Sequence, residues 1–223
     1  LALFKHMDFV MRPATNYFIP RMAERFIVIS DFMKKKFIAR GVKAEHLRVL
    51  YNPLNLDYFK PDAELRASTR KALGYQEDDI VVGFIGALHP DKGMIPLGEA
   101  LNQAMEKVPK LKAFWLGEGR AAAALDNKIN EGGYAARHAR HKWTSDVRPF
   151  YAAMDMLAMP SVESETFGRV SIEAQASGVP VLCSNIGGIP ETLSPGVTGL
   201  LLTPGDIPAW RDAIIKMASD TQM

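Results

Sequence analysis

From residue 79 onward the chain alternates short apolar, β-rich runs with amphipathic stretches, the mark of a parallel sheet whose strands are joined by crossover helices. The runs predict strands over 79–86, 111–117, 137–141, 155–159, 179–184 and 199–202, the third of them weakly apolar. Helical periodicity fills 96–108, 120–130, 146–154, 168–177 and 206–218, several of these opened by Gly, Pro or Asp. The pattern defines an α/β domain of Rossmann-like type, a parallel sheet with helices on both faces.

The first 78 residues follow a different rhythm. They predict a helical stretch over 2–24, a strand over 26–30, a helix over 31–40 capped by Ser30-Asp31, and a short strand over 48–51. Asn52-Pro53 and Pro61 then open what reads as an irregular linker lasting to about residue 77. This is too little for a second domain, and the chain starts on Leu1 inside apparent structure, so the expectation is a fragment of a longer protein. The division expected is 1–55 as the tail end of an upstream domain, 56–78 as linker and 79–223 as the α/β domain.

Composition changes this picture little. The chain has 223 residues, 48% of them hydrophobic, enough for a buried core. Twenty-seven basic side chains against 25 acidic ones demand neither nucleic acid nor a strongly anionic membrane as partner. The lone Cys183 lies in the apolar run Val179-Pro180-Val181-Leu182-Cys183 and reads as a buried strand thiol, with no partner for a disulfide within the chain. No apolar run reaches the length of a membrane-spanning helix and no signal-peptide pattern opens the chain, which favours a cytoplasmic setting. The five histidines lack metal-site spacing, so no metal is expected.

Four segments carry candidate chemistry. A site for a nucleoside diphosphate sugar needs donors for two phosphates, acceptors for the ribose diol, an edge for the base and groups that read the sugar hydroxyls. Gly86-Ala87-Leu88-His89-Pro90-Asp91-Lys92-Gly93 is a glycine-bearing turn that can set the Lys92 ammonium against a phosphate. It lacks the Gly-Lys-Ser/Thr ending of a Walker loop, and a structural turn with a solvated lysine is the competing reading. In Glu165-Thr166-Phe167-Gly168, Phe167 and Gly168 open a helix whose free N–H groups can meet an anion. Glu173 follows a turn and a half later, where a carboxylate can accept from both hydroxyls of a ribose. A surface glutamate is the competing reading, weakened by Ile172, Ala174 and Ala176-Ser177-Gly178, while Glu163 reads as exposed.

The third segment, Gly187-Gly188-Ile189-Pro190-Glu191, is a second glycine loop that a plain turn explains equally well. The fourth, Trp143-Thr144-Ser145-Asp146-Val147, precedes a helix that Asp146 can cap, and its backbone can read a base edge; Trp143 itself reads on balance as packing. The basic run Arg137-His138-Ala139-Arg140-His141-Lys142 is better explained by an edge strand or solvated loop than by a patch for acidic ligands.

In order along the chain stand Ile29-Ser30, Tyr51-Asn52-Pro53, Lys92-Gly93, Leu116-Gly117-Glu118-Gly119, the 143–147 segment, Ala153-Met154-Asp155, Pro160-Ser161, the Glu165/Glu173 pair and Gly187 to Glu191. With these motifs the chain, from about residue 26 to 218, resembles the nucleotide-sugar-binding half of a GT-B glycosyltransferase, most closely glycosyltransferase family 4. The resemblance implies retaining transfer of a hexose or related sugar from a UDP-, GDP- or ADP-sugar to an acceptor hydroxyl, without a catalytic metal or other cofactor. It implies that Lys92 contacts the donor diphosphate, Glu165 the sugar and Glu173 the ribose, with backbone after Glu165 aiding the phosphates or sugar. Gly86, Trp143, Phe167 and Gly168 complete the expected donor site. It also implies that residues 1–55 end an acceptor-binding domain serving a glycan, lipid or small molecule, with peripheral contact to the inner face of a membrane open through that domain. One departure stands out: family members commonly carry an arginine beside the glycine of the first turn, where this chain has Ala87. A chain of this kind, without its acceptor domain, can equally be a nucleotide-sugar-binding module with no turnover.

Overall fold

The computed structural model describes residues 2–5, 22, 24–163 and 165–219. Three parallel strands come first, β1 (Ala2–Lys5), β2 (Arg25–Val28) and β3 (Leu47–Val49), with β2 in the middle. Between β2 and β3 runs α1 (Asp31–Ala39), whose N-cap Ser30 accepts the Met33 N–H at 3.2 Å. Phe26, Val28, Met33, Phe37, Val42 and Leu47 close a small core between this helix and the strands. The helix expected over 2–24 is corrected at its start, where β1 pairs in parallel with β2. A short apolar run does not distinguish strand from helix by periodicity, and a neighbouring strand decides it. The remainder of that expected helix lies outside the described residues, apart from Met22 and Glu24.

The stretch expected to be irregular holds a helix, α2 (Ala63–Ala72), capped by Asp62, whose carboxylate accepts the Leu65 N–H at 2.8 Å. Its buried face was hidden from a hydrophobic pattern because arginines occupy it. Arg70 is only 6% exposed and donates to Asp155, at 3.1 Å, and to the carbonyls of Ala153 and Asp79, while Arg66 donates to Asp155 at 2.5 Å. Asp155 in turn accepts the Val81 N–H at 2.7 Å, so both cations end on a carboxylate fixed to the larger sheet.

That sheet holds β4 (Ile80–Ile85), β5 (Leu111–Leu116), β6 (His138–His141), β7 (Met156–Met159), β8 (Val181–Ser184) and β9 (Gly199–Leu202), all parallel, in the order β6-β5-β4-β7-β8-β9. Helices α3 (Met94–Lys107), α4 (Ala122–Glu131), α5 (Arg148–Ala153), α6 (Arg169–Ala176) and α7 (Ile207–Ser219) cover its two faces. Strand alternation sorts the core: Val82 and Phe84 join α3, α4 and α7 on one side, while Val81 and Ile85 join Tyr151 of α5 and Ala174 of α6 on the other. Both faces are buried, which is why these strands read as unbroken apolar runs. β6 is an edge strand, with Arg140 paired to Asp126 and Arg137 donating to the Met105 carbonyl; the basic run is therefore sheet margin. No helix among the described residues is long and apolar enough to cross a membrane.

Candidate functional site

The strand order reverses between β4 and β7, and in open α/β sheets ligands bind in the crevice outside the carboxyl ends of the strands at such a point. The turn after β4 is pressed against the end of β7. Gly93 has φ 67°, and a Cβ there would lie 1.9 Å from the Pro160 carbonyl oxygen, so only glycine fits. The Val162 N–H donates to the Asp91 carbonyl at 2.9 Å, and Lys92, on the same turn, forms an ion pair with Glu165 across the crevice.

Beyond β7, Gly168 adopts φ 101° and begins α6 with no side-chain cap, leaving the opening N–H groups of that helix without a side-chain acceptor. Phe167 is 5% exposed and stacks on Tyr51 at 5.7 Å, so its ring is taken up in packing. Glu173 is 8% exposed, which removes the reading of a surface glutamate. Its Oε1 accepts from Arg169 Nε at 2.7 Å, and its Oε2 accepts from the Tyr151 hydroxyl at 2.9 Å. Burial, then the neighbouring Glu173 charge, pushes the Tyr151 phenol up, so it stays protonated and donating.

The second glycine loop supports the first. A Cβ on Gly187 would fall 2.2 Å from the Glu165 carbonyl oxygen and one on Gly188 2.3 Å from that of Thr166, while the Gly188 N–H donates to Glu165 O at 2.8 Å. The loop is thus a buttress for the backbone that carries Glu165.

Two adjoining cavities result. One of about 210 Å³ is lined by Gly86, Ala87, Lys92, Ser161, Glu165 and Gly168. The other, about 590 Å³, is lined by Asn55, Tyr58, Trp143, Ser145, Val147 and Glu173. Gly86, Arg169 and Val170 border both. Trp143 is corrected from a packing residue: it is 60% exposed, two residues beyond the edge strand β6 and on the lining of the larger cavity. Across from it, the Arg148 guanidinium lies 4.2 Å from the Tyr58 ring centroid, and Tyr58 donates to Asp146 at 3.2 Å. Hydrogen bonding from Arg148 holds the Asp146 carboxyl down at about 2. Asp146 also accepts the Arg148 N–H at 3.2 Å, and the helix begins at Arg148, two residues later than expected. Among the described residues no group of three His, Cys, Asp or Glu is arranged to hold a metal ion.

Of the expected site residues, Gly86, Lys92, Trp143, Glu165, Gly168 and Glu173 line these cavities, whereas Phe167 lines neither and is buried against Tyr51. Sequence reasoning missed Arg169, legible as the i−4 partner of Glu173, and Tyr151, which carried no signal beyond an aromatic in a helix.

The six-stranded parallel sheet with helices on both faces is a Rossmann-like domain of the type found in GT-B glycosyltransferases. The profile of the family described as glycosyl transferases group 1 matches residues 79–220, and the chain belongs to that family. A D-inositol 3-phosphate glycosyltransferase of Mycobacterium tuberculosis is 32% identical over 200 residues, covering 86% of this chain and 40% of the relative. The crystal structure of Anabaena HepE in complex with UDP superimposes with TM-score 0.89 at 29% identity, covering 99% of this chain and 64% of HepE. Sucrose-phosphate synthase from Thermosynechococcus elongatus follows at TM-score 0.77 and 25% identity, over 98% of this chain and 58% of that one. The chain thus spans less than two thirds of each of these proteins.

Proposed function

We propose that this chain is the donor-binding half of a retaining hexosyltransferase of glycosyltransferase family 4 that takes its sugar from a uridine diphosphate sugar. The observation that carries the reading is the double ion pair at the switch point. Lys92 with Glu165 and Arg169 with Glu173 lie on either side of an uncapped helix terminus, at the border of two adjoining cavities. A site whose own charges cancel can accept a diphosphate by exchanging partners. Lys92 and Arg169 turn to the phosphates, Glu165 to the sugar hydroxyls and Glu173 to the ribose diol. Arg169 also supplies a second positive charge in a site where Ala87 has none. As the bond from the anomeric carbon to the diphosphate breaks, its electron pair goes to the phosphate oxygen, and these two cations with the N–H groups opening α6 stabilise that charge. The acceptor oxygen bonds to the same carbon and gives up its proton to the departing phosphate. Uridine is the base proposed because HepE, similar over 99% of this chain, binds UDP and UDP-glucose.

The acceptor, a glycan, lipid or small molecule, would be held by the rest of an N-terminal domain of which residues 1–55 are the end, with 56–78 joining it to the donor domain. A cytoplasmic setting, with any membrane contact made by that other domain, is part of the same proposal. The alternative reading is that these residues bind the donor without turning it over. Calorimetric titration with UDP, GDP and ADP, repeated on Glu173→Ala, tests the site. Saturable UDP binding lost in the variant is expected, and equal binding by both proteins removes the ribose role. Slow hydrolysis of UDP-glucose would favour residual catalysis over the module.

A further inference from the structure

Glu191, the last residue of the second glycine loop, has no role in the donor reading, yet it makes the most specific contact between the two sheets. Its Oε2 accepts the Asp31 N–H at 2.7 Å and its Oε1 the Phe32 N–H at 2.8 Å, and the Tyr51 hydroxyl donates to it at 3.2 Å. The first-turn N–H groups of α1 are thereby completely accounted for. Met33 and Lys34 donate to Ser30 Oγ and Ser30 O, while Asp31 and Phe32 donate to a carboxylate 160 and 159 residues away. A carboxylate at a helix N-terminus is also favoured by the helix dipole. Beside it the Ser30 hydroxyl donates to the Thr166 carbonyl at 2.6 Å. The short helical turn Ile189–Thr192 that carries Glu191 leads back through Gly188, whose N–H bonds Glu165 O.

We propose that Glu191 is a positioning residue, a clasp that ties the N-terminal unit to the backbone of Glu165 and Thr166, so that Glu165 faces the donor sugar only while the clasp is closed. The proposal rests on the donor reading for its functional consequence and on the hydrogen bonds alone for its existence. Removing the carboxylate frees the α1 terminus and, through Gly188, loosens the loop that aims Glu165, while the ribose and base walls stay intact.

The test uses the full chain with Glu191→Ala and the conservative Glu191→Gln, each first checked for an unchanged near-ultraviolet spectrum. Hydrogen exchange is expected to accelerate about tenfold or more in Glu191→Ala at the amides of Asp31 and Phe32 and, with them, at Gly188. Affinity for UDP-glucose should fall about fivefold or more while UDP stays within about twofold, and Glu191→Gln should recover part of both effects. Unchanged exchange at Gly188 while Asp31 and Phe32 accelerate would reduce Glu191 to a local helix cap and overturn the proposal. Equal losses for UDP and UDP-glucose would overturn it too, as general destabilisation. If the wild-type chain binds no nucleoside diphosphate, the donor reading fails by itself, and the exchange at Gly188 still decides the clasp.

Discussion

Replacing Tyr151 by phenylalanine removes one oxygen atom and asks whether Glu173 is held as the geometry requires. The ring is fully buried, edge-on to Phe59 at 5.9 Å, and phenylalanine keeps that packing without opening a cavity. What goes is the hydroxyl donated to Glu173 Oε2 at 2.9 Å. A hydrogen bond to a charged acceptor contributes about 1.5–3 kcal/mol, and here a carboxylate oxygen is left in a site that Glu173 exposes by only 8%. For a chain of this size each kcal/mol moves Tm by about 2–4 °C, so a fall of about 3–12 °C is expected. The carboxylate then keeps a single anchor, Arg169, and drifts toward it. Affinity for UDP should drop roughly three- to tenfold as preorganisation is lost, while inorganic pyrophosphate, which has no ribose, binds as before. Thermal melting and calorimetry on both proteins measure the two effects. A Tm within about 1 °C of wild type would refute the energetic argument. A matching loss for pyrophosphate would refute the ribose assignment.

Lys92→Ala should weaken UDP by about tenfold or more and UMP clearly less, since the variant loses a charge-assisted contact and leaves Glu165 facing the phosphates alone; equal losses in calorimetry would argue against a diphosphate contact. Gly93→Ala combines a left-handed φ of 67° with a Cβ 1.9 Å from a backbone carbonyl that cannot give way. A loss of more than about 2 kcal/mol in urea unfolding is expected, and a wild-type midpoint would contradict the close approach. His138, hydrogen-bonded to Trp115 and Asn102, is lowered to about 4 by burial. It is neutral in the folded chain but protonated in the unfolded chain below about 6.5, so its contribution is fully present above that pH and lost as pH falls toward 4. That amounts to about 3 kcal/mol at most, visible as a steeper acid loss of stability in wild type than in His138→Gln.

The large sheet was legible because parallel strands buried on both faces leave unbroken apolar runs between amphipathic helices. Leu97, Leu101 and Met105 of α3, which all turn inward, show the helical spacing directly. The carboxylate pair was legible from its setting, since Ile172, Ala174 and the small residues after them announced a packed helix around Glu173. α2 escaped because its inward positions are Arg66 and Arg70, and charge looks like solvent until its partner, Asp155, is known. The partners of Glu191 escaped for a related reason: periodicity describes one element at a time, and a carboxylate meeting a helix terminus 160 residues away leaves no local trace. Trp143 was misread because an aromatic at the end of a strand usually packs, although the basic run before it already marked β6 as the sheet's margin.

The fastening of α2 has a mechanical consequence. With Arg66 and Arg70 riveted to Asp155, with Phe59 packed on Tyr151 and Leu54 against the same core, the connecting segment moves as part of the larger sheet. What remains between that body and the end of β3 is Leu50 to Pro53, and proline fixes its own φ and confines Asn52 before it to extended backbone. Any swing of the first sheet against the second therefore has to release Tyr51, which stands within that stretch yet stacks on Phe167 and donates to Glu191 of the larger sheet.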